Sequence, residues 1–205
     1  MNGPLVVITG ASSGIGLALA RAFAKEGNAL LLIARHIKPV DGLPPDRTAY
    51  AAADVADYSA LERAIREAEQ RFGKTACLIN SAGMADARAF TDVEPEAYSH
   101  EIDVNLKGVL NGTKVVIGDM AAAKSGTIIN ISSVSDRKTS PVAVGYTASK
   151  YAVRAAGESL REAGHAGCAR DQRGAGLHQD QHPPGHGHQL RGILSPARQS
   201  RFPVG

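Results

Sequence analysis

Three things are scarce in this chain, and each scarcity excludes something. Of its 205 residues only two are cysteine, Cys77 in an apolar run and Cys168 in a polar stretch. They supply neither a disulfide framework nor a zinc-ligand spacing. No apolar run approaches the roughly 18 residues that a membrane span requires, and the N-terminus lacks a basic region followed by a long apolar segment. A cytoplasmic protein with no membrane partner is expected. Excess charge is missing from most of the chain: residues 1–162 hold 18 Lys and Arg against 18 Asp and Glu, whereas residues 163–205 hold 5 and 2. The body therefore offers no electrostatic reason for nucleic acid as a partner, and the five dispersed arginines of the tail make no basic patch.

A hydrophobic content of 43% over 205 residues fits one domain, or one domain and a tail, with a buried core. Short apolar runs alternate with helical patterns. Leu5–Ile8, Ala29–Ala34, Thr48–Ala53, Ala76–Asn80 and Thr127–Ile131 read as strands. The second of these lacks polar alternation, as expected of a strand covered on both faces. Between them, Ile15–Phe23, Ser59–Phe72, a long stretch from about Glu96 to Ala123, and Tyr146 to about Arg161 read as helices. Strands alternating with helices predict a doubly wound, Rossmann-type parallel sheet with helices on both faces and right-handed crossovers.

Ligands in such a sheet bind beyond the carboxyl ends of the strands. The informative residues should therefore follow each strand. After the first comes Thr9-Gly10-Ala11-Ser12-Ser13-Gly14-Ile15-Gly16, a glycine turn opening a helix, whose free N–H groups at a positive helix end suit a phosphate. After the second come Ala34-Arg35; after the third, Asp54-Val55; after the fourth, Asn80-Ser81-Ala82-Gly83; after the fifth, Ser132-Ser133. Tyr146 and Lys150 lie four apart on one helix and can point into one cleft. A nearby ammonium favours the charged form of a phenol, whose ordinary pKa is about 10. Taken alone, the pair would be helix surface, Ser133 a strand-end serine, Asn105 a buried helix amide and Asp54 a helix cap.

Together these segments resemble the short-chain dehydrogenase/reductase family. The resemblance rests on T-G-A-S-S-G-I-G at Thr9–Gly16, Asp54, N-S-A-G at Asn80–Gly83, V-N-L-K-G at Val104–Gly108, I-S-S at Ile131–Ser133 and Y-T-A-S-K at Tyr146–Lys150. Ser81 stands where the family more often has a second Asn. The family implies an oxidoreductase that interconverts a carbonyl and an alcohol of a small molecule. Tyr146 would be the general acid or base, Lys150 its partner, Ser133 the holder of the substrate oxygen, and Asn105 the anchor of a relay water. The cofactor would be held by Gly10, Ser12, Ser13, Gly14, Ile15, Gly16, Arg35, Asp54, Val55, Asn80, Ala82 and Gly83, together with Tyr146 and Lys150. An acidic residue after the second strand would bind the ribose 2′-OH of NAD; Arg35 stands there and favours NADP over NAD. The helices around Asn105 and Tyr146 would be dimerisation faces, giving a homo-oligomer if the fold is intact.

Past Glu162 the composition changes. In residues 163–205 only Leu177, Leu190, Ile193, Leu194, Phe202 and Val204 are Leu, Ile, Val or Phe, so an irregular or disordered tail lacking the C-terminal strands is expected after a catalytic domain of residues 1–162. A shifted reading frame is compatible with this change: codons read one base on from Ala169 permit Arg, Val, Thr, Ser, Val, Glu, Pro, Gly, a strand and Pro-Gly turn of the family's kind. On that view the chain is an impaired fragment that at most binds NADP(H). His178, His182, His186 and His188 have no Cys or carboxylate partners at regular spacing, and no metal site is expected.

Overall fold

Five stretches read as strands from the sequence pair side by side in one sheet. The computed structural model describes residues 3–162 and 168–170, all within one unit, Met1–Ala175. The strands are β1 (Gly3–Thr9), β2 (Asn28–Ala34), β3 (Thr48–Ala52), β4 (Thr75–Asn80), β5 (Thr127–Asn130) and β6 (Cys168–Arg170). Their order is β3-β2-β1-β4-β5-β6, and every adjacent pair is parallel. In β1, Leu5 and Val7 face one side with Leu31, Ile33, Leu78 and Ile128, and the alternate residues Val6 and Ile8 face the other. All are buried, which is why the central strands read as unbroken apolar runs.

The helices cover both faces. On one side α2 (Tyr58–Phe72) packs Leu61 and Ile65 against the sheet, beside Val115, Val116 and Met120 of α4 (Gly108–Ala123). Asp57 caps α2, its carboxylate accepting from Ala60 N at 3.0 Å. Arg66 joins α2 to α4 by donating to Asp119 at 2.6 Å and to the Val115 carbonyl at 2.8 Å. Three further helices are α1 (Gly14–Lys25), α3 (Pro95–Ile102) and α5 (Val144–Glu162).

Two findings depart from the sequence reading. The stretch from about Glu96 to Ala123 is not uniform helix: α3 (Pro95–Ile102) and α4 are joined by a π turn, Asp103–Lys107, in which the Gly108 amide bonds back to the Asp103 carbonyl. The second departure is β6. The tail composition predicts no strand, yet Cys168, Ala169 and Arg170 pair with Ile128, Ile129 and Asn130. A ladder needs only backbone donors and acceptors, so a short strand forms here without an apolar run. It pairs with the outer edge of β5. Residues 163–167 and 171–205, including the four histidines, lie outside the described residues.

Candidate active site

The β1 strand delivers its chain into a turn that only glycine can make. Gly10 has φ +66°, and a methyl there would stand 2.7 Å from the Ala82 Cα. Gly16, in the first turn of α1, sits directly on the Gly10 carbonyl, where a methyl would lie 2.9 Å from the carbonyl carbon. Ser13 occupies the N-cap position without a side-chain capping bond among the described residues, so the first amides of α1 face outward for a ligand. Thr9, almost fully buried, uses its hydroxyl to accept from both Ser81 N (3.1 Å) and Ala82 N (3.2 Å). The turns after β1 and β4 are thereby bound to each other.

The π turn places Asn105 beneath the second of these turns. Asn105 is wholly buried; its Oδ1 accepts from Met84 N at 2.8 Å while its Nδ2 donates to the Met84 carbonyl at 2.8 Å and to Ser149 Oγ at 3.1 Å. One turn earlier, the buried Glu101 accepts from Asp86 N at 3.0 Å, and a methyl on Gly145 would lie 2.5 Å from its other carboxylate oxygen. One helix face thus holds alternate residues of the extended segment after β4. It also abuts α5 at its first turn.

Next to that first turn lie Tyr146 and Lys150, both buried. The Lys150 ammonium is 5.6 Å from the centroid of the Tyr146 ring and donates to the Ile131 carbonyl at 2.8 Å. A methyl on Gly83 would come within 3.3 Å of Asn105 Oδ1 and 3.8 Å of Lys150 Nζ, so the turn after β4 passes close over both. Burial pushes Lys150 down to about 8, against the charge of Asp136, which acts in the opposite direction. Ser133, buried, caps a single 3-10 turn by accepting from Ser135 N at 3.1 Å, which leaves its own hydroxyl proton free to donate.

Residues 4–166 match the family model described as short chain dehydrogenase. The chain belongs to the short-chain dehydrogenase family. It is 36% identical over 166 residues to an oxidoreductase, UcpA, of Salmonella typhimurium, covering 78% of this chain and 63% of that relative. An uncharacterized oxidoreductase of Listeria monocytogenes is 35% identical over 163 residues, covering 77% and 66% respectively. The chain therefore spans about two thirds of the length of these curated relatives. Among solved structures, a gluconate 5-dehydrogenase from Burkholderia cenocepacia in complex with NADP and tartrate is 31% identical with a TM-score of 0.72, covering 82% of this chain and 69% of that one. A short-chain dehydrogenase from Streptomyces avermitilis reaches a TM-score of 0.77 at 26% identity, covering 83% and 64%.

The remaining expected residues fall in different places. Asp54 does not cap a helix; its carboxylate accepts from Ala56 N at 2.9 Å, and the cap is Asp57. Val55 packs on Gly108, where a methyl would lie 2.5 Å from Val55 Cγ2. Asn80, buried, turns its side chain toward β5 and α4, its Nδ2 donating to Asn130 Oδ1 at 2.9 Å and to Thr113 Oγ1 at 3.5 Å. Arg35, exposed at the end of β2, is not solitary: its guanidinium lies 3.3 Å from His100 Nε2 of α3. Sequence reasoning passed over Asp136, Glu101 and Asn111, the last of which donates to the Val55 (2.9 Å) and Ala56 (3.2 Å) carbonyls. Nothing in the residue types distinguishes these from solvated polar side chains; only burial does. Among the described residues no group of three or more His, Cys, Asp or Glu is placed to hold a metal, and no helix is long and apolar enough to cross a membrane.

Proposed function

We propose that the chain binds NADP(H) along the carboxyl edge of its sheet and interconverts a small-molecule carbonyl with the corresponding alcohol. One observation carries this: Tyr146 and a buried Lys150 stand together beneath Gly83, one turn of chain from the Gly10–Gly16 cradle. The cradle fits a dinucleotide, since Gly14 (φ +53°) faces open space and the first amides of α1 have no side-chain cap from Ser13. Ser12, Ser13, Gly14 and Ile15 would meet the diphosphate, Arg35 the 2′-phosphate, Asp54 and Val55 the adenine, and Ala82 and Gly83 the nicotinamide end. NADP in the Burkholderia relative supports the choice of nucleotide.

When bound, the nicotinamide supplies or accepts the hydride. The protein moves the proton and fixes the geometry. Tyr146 gives its phenolic proton to the carbonyl oxygen in reduction and takes one from the alcohol in oxidation. Lys150, held by the Ile131 carbonyl, keeps a positive charge facing the phenol as that proton leaves. Ser133 donates its free hydroxyl proton to the substrate oxygen. The Asn105 side chain is engaged by Met84 and Ser149, so a relay water would meet its main-chain carbonyl instead.

Incubating the purified chain with NADPH and a panel of ketones and aldehydes tests the reading. Turnover that Tyr146→Phe abolishes while NADPH binding persists supports it; turnover unaffected by that change refutes it. A second reading, a nucleotide binder with little turnover, is favoured by the altered composition past Glu162. Thermal stabilisation by NADPH without activity would select it.

A further inference from the structure

The contact between Arg35 and His100 joins residues 65 apart in sequence. Its place in the topology gives it meaning. In the order β3-β2-β1-β4, the strand that carries the glycine turn lies between β2, which Arg35 directly follows, and β4, which leads to α3. A bond from the end of β2 to α3 therefore crosses the switch point of the sheet at its adenosine end, where the crossovers change direction. An arginine guanidinium only donates, so the contact is a hydrogen bond when Nε2 of His100 serves as its acceptor. An exposed arginine otherwise samples many rotamers, and fixing it before a ligand arrives removes part of the ordering cost of binding.

We infer that His100 is a specificity-determining positioning residue: it holds the Arg35 guanidinium across the crevice, oriented for the ribose 2′-phosphate of NADP(H). This deepens the NADP reading above and rests on it. His100 acts through Arg35 and does not touch the phosphate, so its influence is confined to the nucleotide that carries one. Removing it costs affinity for NADPH and leaves NADH unchanged.

The test is fluorescence titration of the full chain with NADPH and with NADH, in wild type, His100→Ala, His100→Gln, Arg35→Ala and the double variant Arg35→Ala/His100→Ala. The expected result is a loss of about three- to fivefold in NADPH affinity for His100→Ala, the range of one solvent-exposed hydrogen bond. His100→Gln, which keeps an acceptor on a side chain of similar reach, recovers most of it. Arg35→Ala loses more, and the double variant loses no more than Arg35→Ala, the mark of two residues acting as one. NADH affinity is the same throughout, a readout that a general loss of structure would not spare. If Arg35→Ala removes the preference for NADPH but His100→Ala does not, the inference falls and the NADP reading stands. A further loss in the double variant overturns the positioning role. Wild-type protein that does not prefer NADPH overturns both.

Discussion

Replacing Lys150 by Met isolates the cost of burying an ammonium behind the candidate active site. The lysine is 6% exposed, and burial lowers its pKa from 10.5 to about 8. At about 1.4 kcal/mol for each tenfold change, the folded chain carries a penalty of about 3 kcal/mol while both states are protonated. Below about pH 8 that penalty is fully present. Between about 8 and 10.5 the unfolded chain binds more protons than the folded one, so wild-type stability rises with pH across this window. Methionine fills a similar volume without a charge, but it leaves the Ile131 carbonyl without the donor now 2.8 Å away, a cost of about 1–3 kcal/mol. The two terms nearly cancel at neutral pH, so the absolute stability of the variant discriminates little. The slope does. Urea unfolding of both proteins at several pH values from 7 to 10.5 should show the wild type gaining about 3 kcal/mol on Lys150→Met, since all other titrations are shared and subtract out. A difference that stays flat across the range refutes the claim that burial controls this lysine.

Gly16→Ala places a methyl against the Gly10 carbonyl, so the turn must open; at least a tenfold loss of NADPH affinity and about 1–3 kcal/mol of stability are expected, read by titration and thermal melts. Asn105→Ala strands the Met84 amide and carbonyl, costing about 2–4 kcal/mol and accelerating hydrogen exchange at the Met84 amide more than at the Leu31 amide in β2; equal acceleration would deny the clamp. The coding DNA past Arg161, read one base on, should continue as a strand followed by Pro-Gly; any other continuation removes the shifted-frame explanation of the tail.

The sheet was legible because β1, β2 and β4 are buried on both faces and therefore carry unbroken apolar runs, and α2 because Leu61, Ala64, Ile65 and Ala68 recur on one side. Site positions after each strand followed from topology. Side-chain direction did not. Asn80 and Ala82 both follow from one motif, yet pleating turns the Asn80 side chain into the interior toward Asn130. The π turn was hidden because Asp103–Lys107 contains no Gly or Pro to mark a break, and an extra residue in a turn leaves no mark on hydrophobic spacing so short. Glu101 escaped for the opposite reason: a carboxylate on a helix reads as a solvated face until the fold covers it. β6 escaped because main-chain pairing has no preferred residue at Cys168–Arg170.

The widened turn between α3 and α4 has a bearing on how this molecule can change. Each helical residue advances the direction of its side chain by about 100°, so one surplus residue at 103–107 offsets everything upstream from everything downstream. The downstream half answers to the interior through Val115, Val116 and Met120, whereas the upstream half turns His100 toward Arg35 and Glu101 toward the Asp86 amide. A single rod thus obeys two masters at independent angles. Trimming it by one amino acid would leave the interior seated while rotating the other half out of alignment, so this helix tolerates exchange of residue type far better than change of length.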